Sequence, residues 1–330
     1  MTALILAPLL LATVLVSGLA GAPIVRKAAP ALMRTPRLAV GALFATLVIW
    51  LAGFAALGPM FAWALSGPSG LLPGDTGLVC QRCLDAANPL PPGLEFNTFI
   101  PVILLLALPL ILVLAMIIGG YRYRRRHGKQ QRDLQDALGA GSTQTWIAGQ
   151  PVTVIVHDQP TAFALAHRRW GIVISIALME LLTADELTAV VTHEAAHLRQ
   201  RHHLILRLLH GGIAPLRWIP LVAAIDAAIP HYLEMAADNA AREQTSTPIL
   251  ASALLKIGEK SGPAALHAAC GPVALHAAGI DRIRHLIAPP DGKQGMIPIS
   301  TMLTVVGILF AGSLVVHLPY LQAVLEGCLL

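Results

Sequence analysis

The chain has 330 residues, of which 55% are hydrophobic and only 12% are charged, and its mean hydropathy is +0.68. This composition excludes an ordinary soluble chain, a disordered chain and a disulfide-rich secreted scaffold, because each of those classes needs more charge or more cysteine. The net charge of +5 is small for a nucleic-acid-binding domain, so we expect no direct contact with nucleic acid. The composition predicts a membrane protein.

Four stretches are long and apolar enough to cross a bilayer, whose hydrocarbon core needs about 20 residues per helix. They lie near residues 3–20, 38–60, 99–120 and 297–316, and none of them contains Asp, Glu, Lys or Arg. We therefore predict four membrane-spanning helices. Spans without charged residues also argue against a transporter, which would carry such residues along an ion path.

The first span has small residues near its end and could be read as a cleaved signal peptide. No Lys or Arg precedes it, however, whereas four basic residues follow it between positions 26 and 37. Because a signal peptide has the reverse charge order, we expect a retained anchor.

Basic residues in the short loops predict the orientation of the spans in the cell membrane. The loop 66–98 contains one basic and three acidic residues, whereas the segment 121–293 begins with four arginines in its first six residues. We expect both termini and the loop to be outside and the segment 121–293 to be cytoplasmic. The arginine run is expected to contact anionic lipid headgroups of the bilayer.

Cys80 and Cys83 lie in the external loop with two residues between them. This spacing is compatible with a local disulfide, a redox switch or half of a metal site. We favour an oxidised pair, because an external loop is exposed to an oxidising environment.

The segment 121–293 has mixed polarity and is predicted to be a separate domain. The stretches 150–157 and 171–175 are rich in β-branched residues and predict strands. Thr183 and Glu186 form a capping-box pattern, which predicts the start of a helix that continues past His197.

This helix contains the sequence His193-Glu194-Ala195-Ala196-His197. Two histidines four residues apart share one face of a helix and can bind a single Zn²⁺ ion, while the intervening glutamate can act as a general base. The pattern predicts a zinc site with His193 and His197 as ligands and Glu194 as the catalytic residue. Two solvated helix histidines are the alternative interpretation.

A catalytic zinc site also needs a third protein ligand. After Pro230 the sequence predicts a second helix, on which Glu234 and Asp238 lie one turn apart on one face. We predict Glu234 as the third ligand and Asp238 as the acceptor of a hydrogen bond from a ligating imidazole. The alternative for this pair is a solvated helix face.

Several other histidines compete for the third ligand position: His202, His203, His210 and His231. The residues predicted to contact substrate or the oxyanion are His231, Tyr232 and Arg242. These assignments rest only on their closeness in sequence to the proposed ligands.

The segment 204–230 is apolar but interrupted by proline, glycine and charged residues, and it separates the proposed ligands. A single crossing of the bilayer would put Glu234 on the opposite side from His193, and the segment is too short to cross twice. We predict a re-entrant or interfacial hairpin that covers the site. A buried soluble hairpin is the alternative.

The stretches 162–164, 171–175 and 181–197, with Glu234 and Asp238, resemble the membrane-embedded zinc peptidases, which include the HtpX and CaaX-prenyl-protease group and the BlaR/MecR group. The resemblance covers about residues 150–290. It implies an α-helical polytopic membrane protein with a cytoplasmic α+β zincin-like (gluzincin) peptidase domain and one Zn²⁺ ion per chain. It also implies that the strand 171–175 is an edge strand for an extended substrate, with a core strand as the alternative.

Three spans before the peptidase domain and one after it resemble the BlaR/MecR arrangement in particular. Only about a dozen residues follow His317, so we do not expect the external penicillin-binding domain of those sensors. Direct covalent sensing of a β-lactam by such a domain is therefore not expected.

The main hypothesis is a membrane-anchored zinc endopeptidase that cleaves a cytoplasmic protein, such as a transcriptional repressor, in signalling. The first alternative is an HtpX-like quality-control protease, and the second is a non-catalytic sensor or scaffold stabilised by zinc. A structural zinc site needs no general base, so Glu194 distinguishes the enzymes from the scaffold. A homo-oligomer and self-cleavage within 288–295 remain open.

Overall fold

The computed structural model of this chain describes residues 2–66, 110–126, 128, 141–165, 170–260, 286 and 295–327. Cys80, Cys83, the start of the third predicted span and most of the predicted self-cleavage stretch lie outside these residues.

Long apolar helices form the candidate membrane-spanning part of the described chain. They are α1 (Thr2–Leu32), α2 (Pro36–Ser66) and α9 (Met296–Gly327). Each contains a stretch of at least 20 residues that is long and apolar enough to cross a membrane. Residues 110–126 are also helical and are called α3; they include the end of the third predicted span.

The helix α7 (Pro220–Gln244) connects the membrane helices to the rest of the molecule. Its first half contributes Leu221, Val222, Ile225 and Ile229 to the apolar core that also contains residues of α1, α2 and α9. A Cβ atom on Gly21 of α1 would lie 2.7 Å from Leu221 Cδ1, so a larger residue at this position would require Leu221 to shift.

The predicted start of this helix after Pro230 is wrong, because α7 begins at Pro220 and Pro230 lies within it. Proline is favoured in the first turn, where its missing N–H has no helical partner. Within a helix proline removes a hydrogen bond, and here the extensive apolar packing of α7 offsets that loss.

The segment 204–230 therefore belongs to two helices joined by a tight connection. The helix α6 (His202–Ile213) is followed by a short 3₁₀ helix (Ala214–Leu216) and then by α7. Its insertion into the bilayer as a re-entrant hairpin remains a prediction.

The domain predicted between the third and fourth spans contains a four-stranded sheet. Its strands are β1 (Thr143–Ile147), β2 (Gln150–Ile155), β3 (Ala162–Ala164) and β4 (Ile172–Ser175), in the order β1-β2-β4-β3. Strands β2 and β4 are parallel, and the other two pairs are antiparallel. The turn between β1 and β2 has positive φ at Ala148 and Gly149, as a tight two-residue hairpin requires.

The prediction of β4 as the edge strand for substrate is wrong, and the alternative of a core strand is correct. β4 pairs with β2 on one side and β3 on the other, and all four of its residues are buried. The chain folds back after β3 so that Leu165 donates to the carbonyl of Gly171 and Ser175 donates to that of Thr161. The edge next to β4 is therefore β3.

The helices of this domain are α4 (Ile176–Leu181), α5 (Ala184–Arg199) and α8 (Thr247–Lys260). The predicted capping box at the start of α5 is present, with Thr183 and Glu186 bonded to each other's backbone N–H groups. Eleven of the 16 residues of α5 are buried, because it packs against the sheet, α7 and α8. It is thus the central helix of the domain.

Candidate metal centre

Small side chains bring α5 close to α7. Ala196 of α5 forms a buried cluster with Ala237 and Ala240 of α7. Alanine at these contacts permits a short distance between the helix axes. The side chains of α5 and α7 that lie beside the cluster can therefore meet across the interface.

His193, His197 and Glu234 meet at this interface. The Nε2 atoms of the two histidines are 3.1 Å apart. Glu234 Oε2 is 3.5 Å from His193 Nε2, and Glu234 Oε1 is 3.5 Å from His197 Nε2. Among the described residues, these three form the group of side chains that could hold a metal ion.

These separations fit a tetrahedral zinc site. Zinc–nitrogen and zinc–oxygen bonds of about 2.0–2.2 Å place neighbouring ligand atoms roughly 3.3–3.6 Å apart at the tetrahedral angle. The observed separations of 3.1–3.5 Å are close to that range. The donor set of two imidazoles and one carboxylate is also one that zinc prefers.

The polar contacts on the far side of the two imidazoles determine which nitrogens face Glu234. His193 Nδ1 is 3.0 Å from Asp238 Oδ1 in a buried ion-pair contact, and His197 Nδ1 is 2.8 Å from His202 Nδ1. Since a carboxylate only accepts, we assign the proton of neutral His193 to Nδ1. The amide oxygen of Gln200 also only accepts, so neutral His202 carries its proton on Nε2, and its Nδ1 accepts from His197 Nδ1. Both Nε2 lone pairs then face Glu234, as ligation requires.

The electrostatics of this pocket favour a positive charge. Burial by itself lowers the pKa of His193, but its hydrogen bonds to Asp238 and Glu234 outweigh burial and raise the pKa to about 10. The carboxylates thus stabilise a cation at these nitrogens. A bound zinc ion would supply that charge with both histidines neutral.

The structure brings some of the predicted residues to the site and not others. Glu194, next to His193 on α5, is 3% exposed. His231 is partly buried and lies one turn before Glu234 on the same helix face. Tyr232 is buried in the apolar core shared with the membrane helices, and Arg242 is exposed two turns beyond Glu234.

His202 contacts one of the candidate metal ligands, His197, although the sequence suggested it only as an alternative ligand. It is 2% exposed and contacts His197 through its Nδ1 atom. Its Nε2 atom is 3.1 Å from Gln200 Oε1, which also accepts a hydrogen bond from Arg37 at the start of α2. This chain of hydrogen bonds connects His197 to a membrane helix.

The backbone at Arg201 explains why sequence periodicity missed this role. Arg201 has φ 55° and separates α5 from α6. This left-handed residue ends one helix and redirects the chain, so His202 returns toward His197 although five residues separate them. The two other competing histidines on α6, His203 and His210, lie outside the ligand group, and His210 is 3.4 Å from Asp226.

At the opposite end of α5, Glu186 is buried and tied to α8. Its carboxylate accepts hydrogen bonds from Ser252 Oγ at 2.6 Å and Lys256 Nζ at 2.7 Å, and from the backbone N–H of Thr183 at 2.9 Å. Burial favours a higher pKa for Glu186, but these bonds outweigh it and lower the pKa to about 2. The group is therefore a stably ionised structural carboxylate.

Comparisons with known proteins identify similar sequences. The sequence model of Peptidase family M48 matches residues 128–255. A protein of Salinibacter ruber described as a protease HtpX homolog is 29% identical over 164 residues, which cover 41% of this chain and 58% of the relative. No solved structure matches this chain. The segment that carries the candidate metal centre is therefore similar to metallopeptidases of family M48.

Proposed function

We propose that this protein is a membrane-anchored zinc endopeptidase. The observation that carries this proposal is the convergence of His193, His197 and Glu234 at separations close to those of a tetrahedral zinc site. The match of residues 128–255 to Peptidase family M48 supports it independently. A purely structural zinc site would need neither Glu194 nor an open coordination position.

In this proposal each residue has a distinct role. His193, His197 and Glu234 hold the zinc ion, which when bound polarises a peptide carbonyl and lowers the pKa of water. Glu194 accepts a proton from the attacking water and later donates a proton to the leaving amine. Asp238 and His202 keep the two imidazoles in the orientation that ligation requires.

The outer edge of β3, which pairs with no other strand among the described residues, is the proposed binding site for an extended substrate. Leu165 and Thr161 form backbone hydrogen bonds with β4, so the alternate residues Ala162 and Ala164 direct their N–H and C=O groups to this outer edge. The three residues of β3 are themselves buried. Because α5, which carries the histidines, packs against β3, a strand added there would run beside the metal centre.

For the biological substrate we propose a cytoplasmic protein such as a partner transcriptional repressor, by analogy with BlaR/MecR-type signalling. This requires the orientation predicted from the basic residues, with the peptidase domain on the cytoplasmic side. Quality control of membrane proteins is the second candidate, supported by the similarity to the Salinibacter ruber protein. Cleavage of a co-expressed repressor or of a destabilised membrane protein distinguishes the two.

The first experiment compares the wild type with Glu194→Gln, both purified in detergent, for bound zinc and for cleavage of an unfolded protein. If both forms bind one zinc ion and only the wild type cleaves, the peptidase proposal stands. If neither form binds zinc, or if cleavage survives the substitution, the proposal fails.

A further inference from the structure

A cavity of about 890 Å³ lies between the end of α3 and the connection from α6 to α7. Its polar lining consists of Arg122, Tyr123, Arg126, His210 and Arg217. Apolar groups, including Ala115 and Ile118, line another part of it. The cavity is separate from the metal centre, since it shares none of its residues.

Close backbone packing determines the position of α3 against α6. A Cβ atom on Gly120 would lie 3.3 Å from the carbonyl oxygen of Gly211, and one on Gly211 would lie 3.6 Å from the Gly120 Cα atom. The two glycines therefore allow the helices to touch through their backbones. This contact places the arginines of α3 opposite Arg217.

The cavity carries an excess of positive charge. Asp226 accepts from Arg217 Nε at 2.9 Å and is 3.4 Å from His210 Nε2. Arg122 and Arg126, one helical turn apart, have no ion pair with any carboxylate in the part of the chain that the structure describes. Two guanidinium groups on one helix face thus remain available for an anion.

The surroundings of the cavity resemble a membrane–water boundary. Along α3 the exposed apolar residues Leu114 and Ile117 are followed within two turns by the arginines. Trp218, next to Arg217, is 77% exposed, and tryptophan is enriched at this level of membrane proteins. A ligand in this cavity would meet cations at one end and apolar side chains continuous with the lipid-facing surface at the other.

We propose that this cavity binds the phosphate group of an anionic phospholipid. Arg122 and Arg126 hold the phosphate, with Arg217 beside them, and an acyl chain lies against Ala115 and Ile118. The combination of paired arginines with an apolar wall favours a lipid over a soluble phosphate. This inference does not depend on peptidase activity.

The test uses the full chain, purified in detergent and stripped of lipid, titrated with phosphatidylglycerol and followed by native mass spectrometry. The double variant R122Q/R126Q removes both cavity arginines. The matched control R124Q/R125Q removes the same charge from two exposed arginines of the same helix end, which do not line the cavity. Thermal unfolding verifies that both variants remain folded, and the single variants R122Q and R126Q replace the double variant if it does not.

We expect one tightly retained phosphatidylglycerol on the wild type and on the control. The cavity variant should bind it at least about tenfold more weakly than the control, which corresponds to the loss of one charge-assisted hydrogen bond or more. Phosphatidylcholine should bind more weakly than phosphatidylglycerol, and inorganic phosphate should not displace the lipid at equal concentration.

Three results would overturn the proposal. Equal losses in both double variants would mean that the arginine run attracts anionic lipid without a defined site. Equal retention of phosphatidylcholine would mean that only the apolar wall binds. Displacement of the lipid by equimolar inorganic phosphate would mean that the site takes a soluble anion.

Discussion

A carboxylate with several polar neighbours lies at each end of α5, but the balance of donors and acceptors differs between the two ends. At the N-terminal end, Glu186 accepts hydrogen bonds from Thr183, Ser252 and Lys256. At the C-terminal end, the carboxylate of Glu234 faces the Nε2 atoms of His193 and His197. At the N-terminal end the protein itself supplies the hydrogen-bond donors that Glu186 needs. At the C-terminal end the converging acceptor atoms need a cation.

This difference distinguishes a cluster that stabilises the fold from a cluster that can bind a metal ion. A buried carboxylate surrounded by donors is satisfied and stabilises the fold. Acceptor atoms that converge on one another are unfavourable unless a cation or proton lies between them. Substitutions at the two ends should therefore separate effects on stability from effects on zinc and catalysis.

Glu194→Gln should have the largest effect on activity. Loss of the general base should reduce the rate of peptide cleavage by about 10²–10⁴-fold while zinc binding is retained. Steady-state cleavage assays and metal analysis of the same preparation measure both quantities. Glu180→Gln, on an exposed side chain of α4, is the control and should behave like the wild type.

Asp238→Asn should weaken zinc binding by about 10–100-fold, because the carboxylate orients His193 and increases its basicity. Competition with a zinc chelator measures the affinity. The exposed Asp185 lies at the N-terminal end of α5, so Asp185→Asn provides a charge-matched control. Unchanged affinity in Asp238→Asn would contradict the proposed role of Asp238.

His202→Phe should weaken zinc binding by roughly tenfold, at the lower end of the range for groups that orient a ligand. The substitution removes the acceptor for His197 Nδ1 but keeps a ring of similar size. His203→Phe changes the neighbouring residue, which does not contact His197 through any described hydrogen bond, and serves as the control. If both variants bind zinc alike, His202 has no orienting role.

Glu186→Gln should have the smallest effect on zinc, leaving its affinity unchanged, while it lowers the free energy of unfolding by about 1–3 kcal/mol. The reason is the loss of a charged hydrogen-bond acceptor that connects α5 to α8. Chemical denaturation in detergent measures the change. Glu243→Gln, on an exposed side chain of α7, is the control, and a loss of zinc affinity in Glu186→Gln would contradict the separation of the two ends.

The same carboxylate predicts a pH dependence of stability. Its pKa in the folded protein is lowered from 4.5 to about 2, so folding favours the ionised form. The stabilisation is fully present above the unfolded-state pKa and is lost as the pH falls from that value through the folded-state pKa. The difference in stability between wild type and Glu186→Gln should therefore decrease over this acidic range.

The amino-acid sequence by itself determined the features that depend on local spacing. The length and hydropathy of the apolar stretches predicted the membrane helices, and the pattern from Thr183 to Glu186 predicted the start of α5. The positions of His193 and His197 on one helix face follow from 3.6 residues per turn. Each of these features depends only on residues within a few turns of one another and on whether their side chains favour water or an apolar environment.

Apart from the predicted contacts of Glu234 and Asp238 with the two histidines, only the tertiary structure decided which distant groups meet. Glu186 and Lys256 are 70 residues apart, and neither periodicity nor capping rules connect them. His202 faces His197 because of the left-handed residue between two helices, and β3 covers β4 because the chain folds back on itself. Long-range contacts of this kind arise from packing and hydrogen bonding of the whole chain, which local sequence patterns do not encode separately.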